Sequence, residues 1–280
     1  MRNKYVIIFI TIVSLLLVFI SLSGIIKWTI DNYYTKRQIN MLRDMVKITD
    51  EKEGDFKINV IPINTEISKS NPYWDYIKLP LWKINFQELK NKNKDTVGFI
   101  NVPDTNVNYP IVQAKNNEFY LNHTFNKSVN SAGWVFMDYR NDPVNLNINT
   151  VIYAHGRYDK TMFGTLKDIF KSEWLDNESN HYVRLVTPDY SSIWQVFSVY
   201  KIKTELYYLT IDFETSEDTM DFYNNLLTRS THSFATTINE NDKILTLSTC
   251  YNDKEKVVMH AKLIKIGEDT QKRENTNEER

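Results

Sequence analysis

Between residues 96 and 266 the sequence divides into short runs rich in β-branched and aromatic residues, bounded by Asn, Asp, Gly or Pro. This texture restricts the fold more than any other feature of the chain. The runs lie at 96–102, 107–112, 133–138, 150–155, 181–186, 192–202, 244–250 and 256–266. Eight strands at this spacing predict a mainly β domain with helices (α+β) whose sheet closes into a barrel, leaving no open edges. Two intervening stretches carry helical patterns. At 161–170, Met162, Phe163, Leu166, Ile169 and Phe170 share one helical face. At 215–229, Thr215 and Asp218 form a capping-box pattern ahead of Met220, Tyr223, Leu226 and Leu227, in an insertion between the sixth and seventh strands. Upstream, 28–53 reads as a juxtamembrane helix or stalk, 54–80 as a Pro-containing connection, and the residues after Asn85 as a short helix.

Residues 5–26 contain no charged side chain and are dominated by Ile, Val, Leu and Phe. At about 1.5 Å per residue such a helix crosses a hydrocarbon core about 30 Å thick. The competing reading, a cleaved signal peptide, requires a shorter apolar region of about 7–15 residues and a small-residue cleavage site. The length favours a single N-terminal transmembrane helix. Arg2 and Lys4 favour a cytoplasmic tail, although Lys27, Lys36 and Arg37 reduce the asymmetry. The expected organisation is 1–27 tail and membrane anchor, 28–80 juxtamembrane segment, 81–267 barrel domain, and 268–280 a polar, disordered tail.

Composition excludes several functions. Formal net charge is −1, from 34 basic and 35 acidic residues, so no electrostatic footprint for nucleic acid exists. With seven glycines and no GxGxxG or GxxxxGK[ST] run, a phosphate-cradling loop is not expected. No HExxH or CxxC occurs, and neither a metal nor a cofactor is implied.

The chain has one cysteine, Cys250, so no internal disulfide can form. A lone Cys is either a buried small hydrophobe or a reactive thiol. In the run ILTLSTC, alternation puts Cys250 on the face of Thr246 and Ser248, opposite Leu245 and Leu247, and at a strand-to-loop boundary. A reactive thiol needs a base or a neighbouring cation. Of His123, His155, His181, His232 and His260, only His155 ends a strand and enters a loop in the same manner. His260 sits inside the last strand and is expected on a barrel surface. From spacing alone, both readings of the thiol stay open.

The combination of TLSTC at 246–250 with a following strand containing HAKLIKI resembles the active-site signature of sortases, especially class B. The segments GFINVPDTNVNYPIVQAKNNEFYLNHTF (98–125), AGWVFMDYRN (132–141) and VIYAHGRYDKTMFGTLKDIF (151–170) are similar to class B segments in the same order. The resemblance covers roughly residues 80–266. It implies an eight-stranded sortase barrel with Cys250 as nucleophile and His155 as the acid that protonates the leaving amine. It also implies that Ser248, Tyr153, Asn117 and Leu121 line the peptide groove. The implied activity is a membrane-bound cysteine transpeptidase, its catalytic domain outside the cell. Its partners would be secreted proteins bearing an NPxT-like or LPxT-like C-terminal sorting motif, and a cell-wall precursor or protein amine as acceptor.

One departure stands out. Sortases carry an Arg on the strand after the Cys, and Lys256 occupies that position here. Lys keeps the charge without the planar fork. Either Lys256 substitutes for it, or Arg157 or Arg184 reaches in, or the protein is a weak or inactive enzyme of the same fold. Pilin polymerisation is a further alternative to surface-protein anchoring.

Overall fold

The computed structural model describes residues 2–62, 68–203, 205–250 and 255–269, with Cys250 described through its backbone. A long helix α1 (Arg2–Met45) leads into β1 (Ile48–Asp50), β2 (Phe56–Val60), α2 (Tyr73–Tyr76), β3 (Trp82–Ile84) and α3 (Gln87–Lys92). There follow β4 (Thr96–Asn101), β5 (Asn108–Val112), β6 (Phe136–Met137), β7 (Asn149–Tyr153), α4 (Ser172–Leu175), β8 (Tyr182–Val186), β9 (Tyr190–Lys203), α5 (Ser216–Arg229), β10 (Ile244–Cys250) and β11 (Glu255–Asp269).

The strands hydrogen-bond in the order β10-β7-β6-β5-β4-β8-β9-β11, and pairing of β10 with β11 closes the ring. The molecule is therefore an eight-stranded closed barrel, as its strand spacing suggests. Alternation decides which side chains fill it. On β10, Leu245 and Leu247 join the interior with Val257, Met259 and Ala261 of β11. Ile244, Thr246 and Ser248 point to the outer face. That face is not wet: α5 and the β9–β10 insertion cover it with Tyr208, Phe222, Tyr223 and Leu226. At about 1.5–3 kcal/mol per large apolar side chain buried, this second layer adds substantially to the barrel core.

Local chemistry sets the helix ends. The Thr215 hydroxyl accepts from the Asp218 amide at 3.1 Å, so α5 starts where its capping pattern predicts. Asn85 caps the next turn by accepting from the Gln87 amide at 2.9 Å. The 161–170 stretch differs from expectation, being a 3₁₀ helix at Gly164–Phe170 rather than an α-helix. Among its fully buried residues, Phe163, Leu166 and Ile169 recur every third position, the repeat of a 3₁₀ turn. A Cβ on Gly164 would meet the Arg157 carbonyl oxygen at 2.4 Å, so glycine permits the close approach there.

The 54–80 stretch is more structured than a connection. Within it β2 pairs antiparallel with β11, Phe56 opposite Asp269 and Val60 opposite Lys265. The helix α2 closes a small cluster in which Tyr73, Tyr76 and Leu81 pack on Ile193 and Ile264. The first part of α1 is exposed and apolar, and is long enough to cross a membrane. Its last turns bury Thr35, Ile39 and Leu42 against the barrel domain. The tail at 270–280, expected to be disordered, lies outside the described residues, while Glu268 and Asp269 belong to β11.

Candidate active site

Two parallel strands bring the candidate nucleophile and acid together. β7 and β10 pair in parallel, Asn149 opposite Ile244 and Tyr153 opposite Ser248. The Ala154 amide continues the ladder to the Ser248 carbonyl at 3.4 Å. The pairing ends at Tyr153–Ser248, so His155 and Cys250 each lie two residues beyond the last paired residue of their strands. On the other side of β10, Lys256 of β11 lies directly opposite Cys250 in antiparallel register. Directly opposed residues have Cα atoms about 4.5–5.5 Å apart. The backbone of Cys250 is thus paired with that of Lys256, and His155 follows the end of the parallel strand on its other side.

His155 is held from outside the barrel. Its Nε2 lies 2.7 Å from the Leu121 carbonyl oxygen. A carbonyl can only accept, so Nε2 carries a hydrogen. Leu121, expected to line the groove, ends a 3₁₀ turn at Phe119–Leu121 and has an exposed side chain. That turn is seated against Gly133, whose φ is +58° and where a Cβ would lie 2.5 Å and 2.8 Å from the Tyr120 and Leu121 oxygens.

Of the other expected site residues, Ser248 and Tyr153 lie opposite each other on the same two strands. Ser248 is buried, and its hydroxyl lies 3.0 Å from that of Tyr208 in the β9–β10 insertion. Tyr153 donates its hydroxyl hydrogen to Asp138 at 2.8 Å, and the Asn117 amide donates to the same Asp138 oxygen at 2.9 Å. Sequence patterns do not single out Asp138 or Arg140. The Arg140 Nε and Nη2 bind the two Asp138 oxygens at 2.9 and 2.8 Å. Burial opposes the Asp138 charge, but Arg140, Tyr153 and Asn117 together hold its pKa below the usual carboxylate value. The same carboxylate raises the Arg140 pKa, and burial followed by Asp138 raises that of Tyr153. The one signal for them in the chain is a carboxylate directly closing the apolar run of β6, two residues before an arginine.

The two alternative arginines are committed elsewhere. Arg157 binds Asp159 at 3.2 Å, Thr161 at 3.0 Å and Asn32 of α1. Arg184 is buried against Trp82, 4.6 Å from the ring centre, and Tyr182. Among the remaining histidines, His123 stacks on Phe119 at 4.0 Å. His181 and His232 flank Phe234 at 4.9 and 4.8 Å. His260 does face outward from the barrel, yet it is fully buried beneath the insertion, between Tyr200 and Thr246 at 2.8 Å each. Burial lowers its pKa to about 3. Among the described residues no His, Cys, Asp and Glu cluster could hold a metal.

A barrel with a thiol and an imidazole on adjacent parallel strand ends is suited to acyl transfer through a thioester. A family model of the sortase domain matches residues 100–264, and the chain belongs to the sortase family of cysteine transpeptidases. Its relatives identify class B. Sortase B of Staphylococcus aureus is 37% identical over 186 residues, covering 65% of this chain and 75% of the relative. Sortase B of Listeria monocytogenes is 31% identical over 182 residues, covering 64% and 73%. A crystal structure of a Bacillus anthracis protein similar to sortase B superposes with a TM-score of 0.66 at 31% identity, covering 83% of this chain and 97% of that one. The S. aureus sortase B–substrate complex gives a TM-score of 0.60 at 36% identity, covering 64% and 84%.

Proposed function

We propose that this chain is a membrane-anchored transpeptidase that cleaves a C-terminal sorting motif and passes the acyl group to an amine. The Cys250 thiolate attacks the carbonyl carbon of the motif's Thr, and the π electrons move onto oxygen as the C–S bond forms. The ammonium of Lys256 stabilises that oxyanion. Collapse of the intermediate breaks the C–N bond, His155 gives its proton to the departing amine, and a thioester remains. The acceptor amine attacks the thioester, His155 removes a proton from it, and Cys250 leaves as the thiolate. The parallel pairing of β7 with β10, which ends two residues before His155 and Cys250, together with Lys256 opposite Cys250, carries this reading.

The substrate class follows the relatives, one solved as a sortase B–substrate complex and another as sortase B complexed with triglycine. An NPxT-like motif is the first choice and LPxT-like the second. Residues 5–26 serve as a single-pass anchor, with the catalytic domain outside the cell. The replacement of Arg by Lys256 favours one second reading, a weak enzyme of the same fold. The test is incubation of the detergent-solubilised chain with NPxT and LPxT peptides, with and without oligoglycine amines. Cleavage with amine-dependent product, lost in Cys250→Ala and nearly lost in His155→Ala, is expected. Cleavage surviving in Cys250→Ala would refute the mechanism, and no cleavage in wild type would favour the weak-enzyme reading.

A further inference from the structure

Asp138 is buried and immediately follows the short strand β6. Three other elements converge on it. Asn117 comes from the loop after β5, Tyr153 ends β7, and Arg140 reaches across to the Leu209 carbonyl of the β9–β10 insertion at 3.0 Å. Gln113 pins the turn itself, donating to the Asp138 and Asn141 carbonyls at 2.8 and 2.7 Å. A second tie holds the same insertion: Asn149 of β7 donates to the Tyr208 and Thr210 carbonyls at 3.1 and 2.8 Å. With the Asn149 amide on the Ile211 carbonyl at 2.9 Å, four consecutive carbonyls of the insertion are bound to the barrel, and that of Leu209 depends on the Asp138–Arg140 pair.

The carboxylate also dictates what the neighbouring groups can still offer. An ionised carboxylate only accepts, so both Tyr153 and Asn117 must spend a hydrogen on it. One lone pair of the Asn117 Oδ1 is taken by the Tyr139 amide at 3.0 Å. Asn117 keeps one amide hydrogen with which to donate to a ligand. Tyr153 has given up its hydroxyl hydrogen and acts as an acceptor. Both bonds are charge-assisted, and such bonds are roughly twice as strong as neutral ones.

We propose that Asp138 is a positioning residue for peptide recognition. Through Arg140 it sets the insertion wall of the groove, and through Asn117 and Tyr153 it fixes a donor for a peptide carbonyl and an acceptor for a peptide amide. This inference rests on the transpeptidase reading, because it assumes that the groove beside Cys250 takes an extended peptide. Asp138 acts through its neighbours and does not touch the reacting atoms.

The experiment compares the full chain with Asp138→Asn, Arg140→Ala and the double variant, using the NPxT and LPxT peptides. Four quantities are read: KM and kcat for cleavage, peptide Kd in a Cys250→Ala background, and the rate of Cys250 alkylation by iodoacetamide. Asp138→Asn should raise KM and Kd about tenfold or more, the effect of losing about 1.4 kcal/mol of binding. Alkylation and kcat should stay within a few-fold of wild type. Arg140→Ala should reproduce part of the loss, and the double variant should be no worse than Asp138→Asn, since the pair acts as one unit. Arg140 is 42% exposed in its side chain, so its variant keeps the test intact if Asp138→Asn fails to fold. Unchanged KM and Kd in both variants would overturn the proposal. So would a parallel fall of alkylation, kcat and melting temperature, the signature of a purely structural carboxylate. Failure of the transpeptidase reading is seen separately, as absence of cleavage in wild type while the Kd comparison still reports on the clamp.

Discussion

Lys256 stands opposite Cys250 on the closing ladder of the barrel, and the proposed mechanism gives its ammonium the oxyanion of the substrate carbonyl. With Arg157 and Arg184 bound elsewhere, Lys256→Ala should lower kcat/KM by about 10²–10³, the scale of a lost oxyanion donor. Lys256→Arg should preserve or raise it, because the guanidinium offers two donors from the same position. A silent Lys256→Ala in peptide cleavage assays would remove the residue from the mechanism. His260 invites a different measurement. Its folded pKa of about 3 lies below the ordinary 6.5, so the unfolded chain takes up the proton first as pH falls. Stability is therefore lost progressively between pH about 6.5 and about 3, at up to about 1.4 kcal/mol per unit. His181, depressed mainly by burial, adds in the same sense. Urea denaturation at several pH values should show a shallower slope in His260→Gln than in wild type. Equal slopes would mean that His260 titrates normally in the folded protein.

Among the elements, the 119–121 turn has the most direct bearing on catalysis, since it supplies the carbonyl that orients His155. Gly133 makes room for it in two ways, by its positive φ and by its lack of a Cβ against the Tyr120 and Leu121 oxygens. Gly133→Ala must push the turn away and take the acceptor from Nε2. Misplacement by about 1 Å can cost about 10² in rate. Peptide cleavage by Gly133→Ala should fall on that scale as His155 loses its partner. A normal rate would show that the Leu121 carbonyl does not position the imidazole. The helix α5 is built for a different purpose, its Phe222, Tyr223 and Leu226 sealing the outer face of β9, β10 and β11.

At the scale of the molecule, α1 joins two environments. Its first part is exposed and apolar, whereas Ile39 and Leu42 pack into the barrel core cluster. Asn32 binds Arg157 in the loop just beyond His155, and Arg43 donates to the Asn106 carbonyl at 3.2 Å. A chain beginning at residue 28 should therefore keep the melting temperature and activity of the full protein. One beginning at residue 47 should lose several kcal/mol, at about 1.5–3 kcal/mol for each buried Ile or Leu, and melt lower. Equal melting temperatures for the two truncations would mean that the end of α1 contributes no stability.

Much of this is legible in the chain. Period-two alternation in ILTLSTC separates Leu245 and Leu247, which fill the barrel, from Thr246 and Ser248, because a strand has only two faces. Recurrent β-branched runs announce a barrel, and Thr215 with Asp218 marks the start of α5, since capping is a local matter of a few adjacent residues. The motif order around Cys250 and His155 points to their shared function. What stays hidden depends on distance in space. β2 escapes the sequence pattern because a short strand joins a sheet only through its partner, here β11. The 3₁₀ form of Gly164–Phe170 follows from packing against the Arg157 backbone. The burial of His260 requires the β9–β10 insertion to fold over it. Asp138 acquires its meaning only where β6, β7, the 117 loop and Leu209 converge. Alternation and capping are properties of neighbouring residues and can be read along the chain. A buried charge is satisfied by partners far apart in sequence, and only the closed barrel brings them within hydrogen-bonding reach.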